Sequence, residues 1–257
     1  MKIEAVVFDW AGTTIDYGCF APVQAFMGIF QQYGIEVTME ETRKPMGMLK
    51  WDHIKTMLGM PAIQKQWKDR YGRESNDQDV DEMHERFSEK LMSILDQFVD
   101  IKPYVLETMQ ELRDMGIKIG STTGYTDCMM SIVVPQAKRV GYAPDFWITP
   151  DSVGSCGRPY PYMIFENMKA LNIKDVHHVI KVGDTISDMK EGRCAGVLTV
   201  GILEGSSLMA LTQEEYETLP EEEKKAQCER VRKEYLDAGA DYVIQTMKEL
   251  PALIRNL

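Results

Sequence analysis

The sequence predicts an α/β protein: a doubly wound, Rossmann-like parallel sheet core with an all-helical domain inserted after its first strand. Three observations lead there. Apolar runs without clean alternation recur at 3–8, 117–120 and 179–183, the pattern of strands buried on both faces. From residue 101 onward such runs alternate with helical patterns, the rhythm of a parallel sheet. Between residues 20 and 100 no strand pattern occurs. The chain therefore reads as a core, 1–18 and 101–257, and a helical domain, 19–100.

The first strand, Ile3 to Phe8, ends in Asp9 and a small Ala-Gly-Thr turn. A connecting stretch runs from Asp16 to Cys19. Ala21 to Tyr33 has helical spacing, and Gly34 suits a left-handed C-terminal cap. Thr38-Met39-Glu40-Glu41 reads as a capping box. Further helices are expected over Met48–Leu58, Pro61–Tyr71 and Asp79–Phe98. In the core, Pro103 suits the first turn of a helix ending near Gly116. A strand from Ile117 to Thr123 follows, then a helix over Asp127–Arg139 and a short strand at Phe146–Ile148. The loop Gly154–Pro159 leads to a helix over Tyr160–Leu171. A buried strand, Val179 to Asp184, precedes a helix over Ser187–Ala195 and a strand over Val197–Val200. Thr212 to Leu236 is dense in Glu, Lys and Arg and reads as solvated helices. Asp241 to Ile244 is the last strand, followed by a short terminal helix.

Composition narrows the function. Of 257 residues, 44% are hydrophobic and 27% charged, ordinary for a globular chain, and the formal net charge is −11. An acidic balance argues against nucleic acid or an anionic membrane as partner. No apolar run approaches the length of a membrane span, and no secretory leader is expected. The five cysteines are scattered without a C-x-x-C spacing, which suggests reduced thiols in the cytoplasm.

A parallel sheet gathers the carboxyl ends of its strands at one edge, where ligands bind. Four such ends carry polar groups: Asp9, Thr123, the Arg158 loop and Asp184, with Asp188 just inside the next helix. Two neighbouring carboxylates repel unless a cation lies between them, and hard oxygen ligands suit Mg2+. A hydroxyl and an arginine are donors to a phosphoryl group. Each residue alone is more simply a turn former or helix cap. The set points to phosphoryl-transfer chemistry.

In these motifs the sequence resembles the haloacid dehalogenase-like hydrolases: Asp9-Trp10-Ala11-Gly12-Thr13, Thr123, Arg158 within Gly157-Arg158-Pro159, and Gly183-Asp184 followed by Asp188. The resemblance implies that Asp9 is a nucleophile and that the helical insert is a cap domain. It implies Mg2+ held by Asp9, the Ala11 carbonyl and Asp184, with Asp188 supporting that shell. Phosphatases of this superfamily carry a second Asp where this chain has Ala11. That Asp is a general acid, which alanine cannot replace.

The helical domain offers another means of activating a leaving group. Lys50 and His53 lie one helical turn apart, and a lysine can form a Schiff base that serves as an electron sink. An exposed helical lysine is the commoner use of such a residue. With Ala11 and with Arg43 to Gly47, Ser121 to Tyr125 and Gly157 to Pro161, it makes the chain similar to the carbon–phosphorus-cleaving branch of the superfamily. That branch implies hydrolysis of phosphonoacetaldehyde through a Lys50 imine and an Asp9 aspartyl-phosphate, in 2-aminoethylphosphonate degradation. It implies Thr123 and Arg158 on the phosphoryl group, His53 relaying protons, Met46 and Cys19 lining the site, and a homodimer. Two rival readings remain, a haloacid dehalogenase and a non-catalytic phospho-ligand-binding protein.

Overall fold

A computed structural model describes residues 2–45 and 50–257. By its contacts the chain forms two compact units, Met1–Cys19 with Val99–Leu257, and Phe20–Phe98.

Strand β1 (Ala5–Phe8) is buried along its whole length. The chain then passes into the helical unit: α1 (Phe20–Gln32), α2 (Met39–Arg43), α3 (Lys50–Leu58), α4 (Pro61–Tyr71) and α5 (Asp77–Met92). Thr38 and Glu41 form the expected capping box of α2. Pro61 starts α4 and Gly72, at φ 67°, ends it. Helix α5 begins two residues earlier than the sequence pattern suggests, because Asn76 and Asp79 form a second capping box. It also stops at Met92, and Leu95–Gln97 is a separate 3-10 turn. Phe26, Phe30, Met57, Met83 and Phe87 are buried among themselves and their neighbours. Phe26 stacks on Phe87 with ring centroids 4.2 Å apart. These Met and Phe side chains are therefore interior residues of their own unit.

The sheet unit resumes with α6 (Val105–Asp114), β2 (Lys118–Thr122), α7 (Asp127–Arg139), β3 (Phe146–Ile148) and α8 (Tyr162–Ala170). It continues through β4 (Val179–Gly183), α9 (Ile186–Ala195), β5 (Leu198–Ile202), α10 (Gln213–Thr218), α11 (Glu221–Ala238), β6 (Tyr242–Ile244) and α12 (Leu250–Arg255). Pro103 does not begin α6. Tyr104, at φ 64°, turns the chain first. Likewise α8 starts at Tyr162, because Gly157–Pro161 is spent on a turn that carries Arg158.

All strand pairs are parallel, in the order β3-β2-β1-β4-β5-β6. The winding reverses between β1 and β4, and in such sheets the crevice at the reversal is where ligands bind. Phe8 is level with Ser121 on one side and Val182 on the other. The next residue on each strand, Asp9, Thr122 and Gly183, therefore sits at the mouth of that crevice. Apolar packing fixes the strands from both faces. One cluster joins Val7 and Val179 to Ile164 and Met168 of α8. Another joins Met189 of α9 to Val231 and Tyr235 of α11.

Candidate active site

Asp9 ends β1 with its backbone still in the ladder, its N–H donating to the Val182 carbonyl at 2.9 Å. The following turn is wound tightly. The N–H groups of Thr13, Thr14 and Ile15 all donate to the Trp10 carbonyl. Trp10 anchors the turn, fully buried, with its indole N–H on Ser121 Oγ at 2.7 Å and its ring edge-on to Tyr142. Gly12 adopts φ +83°, and a Cβ there would lie 2.2 Å from Asp184 Oδ2. Only glycine brings the turn so close to the second carboxylate.

Asp184 follows β4 and is held on four sides. Thr13 Oγ1 donates to Oδ1 and the Ser207 N–H to Oδ2, each at 2.8 Å. The Tyr235 hydroxyl and Ser207 Oγ donate to its backbone carbonyl at 2.6 and 3.2 Å. Lys102, buried nearby, donates to the carbonyls of Gly12 and Glu204 and so ties the Asp9 turn to the loop after β5. Burial lowers the Lys102 pKa to about 8, against the pull of Asp184 and Glu204.

Arg158 reaches in from the loop before α8. Its Nη2 lies 2.6 Å from Asp9 Oδ1 and 2.9 Å from Thr122 Oγ1. Its Nη1 lies 3.1 Å from Asp188 Oδ1, and its Nε 3.1 Å from Glu191 Oε2. Burial works against the guanidinium charge, yet Asp188, Asp9 and Glu191 outweigh it and hold the charge firmly in place. Asp188 caps α9, with Oδ2 accepting from the Thr185 N–H and hydroxyl.

Carboxylate oxygens of Asp9, Asp184 and Asp188 lie within 4.8 Å of one another, all buried. Burial pushes Asp9 up to about 7, with Arg158 opposing and Asp188 adding. Asp184 is raised by burial and then by Asp188. Asp188 goes the other way, because Arg158 and Lys181 overcome its burial. Two carboxylates thus resist ionising together, while the third is already matched by cations. A cation beside Asp9 and Asp184 would relieve that conflict, and an all-oxygen donor set suits a hard divalent ion. The cluster therefore has the makings of a metal site.

A family model for haloacid dehalogenase-like hydrolases matches residues 3–196. The chain is 51% identical over its whole length to the phosphonoacetaldehyde hydrolase of Lysinibacillus sphaericus (strain C3-41), covering 96% of that protein. The chain belongs to the phosphonoacetaldehyde hydrolase family. A bifunctional phosphonoacetaldehyde hydrolase/aminoethylphosphonate transaminase of Clostridioides difficile (strain 630) is 51% identical over 253 residues, and those cover 40% of its length. Among solved structures, a phosphonoacetaldehyde hydrolase-like protein of Oleispira antarctica superposes with a TM-score of 0.91 at 36% identity, covering all of this chain and 92% of that one.

Within this phosphonoacetaldehyde hydrolase fold, the sheet unit brings Asp9, Arg158, Asp184 and Asp188 together. Ala11 lies in the turn between Asp9 and Gly12. Cys19 is buried after a turn closed by its N–H on the Asp16 carbonyl. Thr123 is buried just past β2, but its hydroxyl accepts the Tyr125 N–H at 3.1 Å. The hydroxyl bonded to Arg158 belongs to Thr122, one residue earlier.

In the helical unit, Lys50 is the first described residue of α3, with Nζ 5.8 Å from the Phe26 ring centroid. His53 stacks on the same ring, 3.8 Å between centroids, and is fully buried. Its Nε2 lies 2.8 Å from the Thr42 carbonyl, which requires a proton there and leaves a lone pair on Nδ1. Burial, then the charge of Lys50, lowers the His53 pKa to about 3. Met46 lies outside the described residues.

Sequence reasoning missed several members of the site: Thr122, Lys181, Glu191, Thr13, Ser207, Lys102 and Tyr235. Lys181 had a signal, a lysine in the middle of the apolar run Val179-Ile180-Lys181-Val182. Tyr235 had none, because α11 is otherwise a charged surface helix. The reading of that helix as merely solvated is corrected, since Cys228, Val231 and Tyr235 form a buried face.

Proposed function

We propose that the chain hydrolyses the carbon–phosphorus bond of phosphonoacetaldehyde, giving acetaldehyde and phosphate, as a step in 2-aminoethylphosphonate degradation. The observation that carries this reading is Ala11. The surrounding site has its carboxylates, its arginine and its tight turn, yet no acid stands where an alcohol leaving group would need a proton. A leaving carbon needs an electron sink instead, and Lys50 supplies one. Full-length relatives that carry this activity in their names support the reading.

In this mechanism the Lys50 amine adds to the aldehyde carbon and water leaves, forming an imine that is protonated on nitrogen. Asp9 attacks phosphorus, and the C–P electron pair moves into the imine as an enamine. The products of that step are an Asp9 acyl phosphate and an enamine on Lys50. Water cleaves the acyl phosphate, freeing the Asp9 carboxylate and phosphate. The enamine takes a proton on carbon, and water then frees acetaldehyde and the lysine. Arg158 holds the phosphoryl oxygens through Nη2, and the Thr123 hydroxyl donates to them as well. His53 is kept neutral beside Lys50 and passes protons through its Nδ1 lone pair. Cys19 lines the substrate. Mg2+ would be held by Asp9, the Ala11 carbonyl and Asp184, with Asp188 supporting the shell, and would offset charge on the phosphoryl oxygens.

Helices Phe20–Phe98 act as a cap in this reading, the chain works as a homodimer, and its place is the cytoplasm. No disulfide joins any of the five cysteines, and among the described residues no helix is long and apolar enough to cross a membrane. Sedimentation at the single-chain mass of 29.4 kDa would contradict the dimer. Phosphate release from phosphonoacetaldehyde tests the activity: release that EDTA abolishes and Mg2+ restores is expected. Release of halide from chloroacetate in its place, or phosphonate binding without turnover, would overturn it.

A further inference from the structure

Lys181 lies in the interior of β4 and Glu191 on the facing turn of α9, and both side chains are fully buried. A buried ion pair is a poor stabiliser compared with two apolar side chains. Glu191 also leaves Oε1 without a partner. Stability therefore does not account for a lysine in an apolar strand.

Its contacts do. Lys181 and Arg158 share the same three oxygens. Glu191 Oε2 is 3.2 Å from Lys181 Nζ and 3.1 Å from Arg158 Nε. Asp188 Oδ1 is 3.0 Å from Lys181 and 3.1 Å from Arg158 Nη1. Thr122 Oγ1 is 2.7 Å from Lys181 and 2.9 Å from Arg158 Nη2. Thr122 accepts from both cations, so its own proton goes to Glu191 Oε2, 3.2 Å away. Two cations and two carboxylates thus balance around one hydroxyl. A planar guanidinium held at Nε and Nη1 has no rotation left, and its Nη2 is aimed at Asp9.

We propose that Lys181 and Glu191 are positioning residues for Arg158. Glu191 grips the guanidinium from behind, and Lys181 neutralises the carboxylates that would otherwise draw Arg158 down into the sheet. The pair thereby fixes the direction in which Arg158 meets a phosphoryl oxygen. This rests on the reading of Arg158 as the phosphoryl-holding group.

The test uses the full-length protein with Mg2+. Five variants are compared with wild type: Glu191→Gln, which keeps size and shape, the double variant Lys181→Met/Glu191→Gln, Arg158→Lys, and each of the first two exchanges in the Arg158→Lys background. Thermal unfolding reports folding, calorimetry reports binding of inorganic phosphate, and steady-state assays report KM and kcat for phosphonoacetaldehyde. The expected result is a folded Glu191→Gln protein whose phosphate affinity falls, and whose KM rises, at least about tenfold. In the Arg158→Lys background the same exchange changes phosphate affinity less than about twofold, because a lysine has no Nε to grip. Wild-type phosphate affinity and KM in folded Glu191→Gln would overturn the proposal. So would an equal loss in both backgrounds, the mark of a merely structural pair. A wild-type protein that binds phosphate but releases none from phosphonoacetaldehyde would overturn the proposed activity, and the calorimetry would still decide the role of Glu191.

Discussion

Around Asp9, charge is held by charge. Arg158 touches Asp9, Asp188 and Glu191, Lys181 touches the last two, and nearly every oxygen has a directed donor. Beside Lys50 stand the Phe26 ring, beneath its ammonium, and His53, kept neutral and stacked on that ring. The first setting suits groups that must stay ionised and oriented while a phosphoryl group passes, the preorganised field that acts without rearrangement. The second suits a group that must change its covalent state.

Substitutions can break this contrast, the largest effects first. Asp9→Asn keeps the shape of the first cluster and removes its nucleophile, so phosphate release falls at least about 10^3-fold. A single-turnover assay on the folded variant checks it. Applying one exchange to both regions sharpens the difference. Lys181→Met leaves two buried carboxylates short of a cation and costs about 3–5 kcal/mol of unfolding free energy. Lys50→Met, at the half-buried start of α3, changes stability by less than about 1 kcal/mol while abolishing turnover. Denaturant melts of the two variants side by side decide this.

Gly12→Ala forces a Cβ onto Asp184 Oδ2 at a left-handed backbone position. It costs about 2–3 kcal/mol and weakens Mg2+ binding measured by calorimetry. The smallest effect belongs to the aromatic side. His53 has a folded pKa near 3 against 6.5 when unfolded. Below pH 6.5 the unfolded chain binds the extra proton, so stability is complete above that pH and is lost as pH falls toward 3. The loss is about 2 kcal/mol between pH 6.5 and 5, and in His53→Gln this component of the acid dependence is absent.

The sheet was legible because its strands are continuous apolar runs and its polar groups stand at their ends. Asp9, Arg158 and Asp184 could be placed from that pattern alone. The helix starts at Asn76 and Val105 were harder. One depends on a capping box without Ser or Thr, the other on a left-handed Tyr104 that displaces the signal from Pro103. At the site, the pleat of β2 decides between two adjacent threonines, and spacing does not record which one faces Arg158. Lys181 and Glu191 are ten residues apart on different elements, so their pairing exists only once β4 and α9 pack. Tyr235 reaches Asp184 across more than fifty residues of chain and had no local mark.

The central claim is that a lysine imine and an aspartate share one reaction. Incubation with phosphonoacetaldehyde and borohydride, followed by peptide mass spectrometry, measures it directly. The account predicts an alkyl group reduced onto Lys50 alone, lost in Lys50→Arg together with phosphate release. Undiminished phosphate release by Lys50→Arg, or release from wild type with Lys50 unmodified under borohydride, would contradict it.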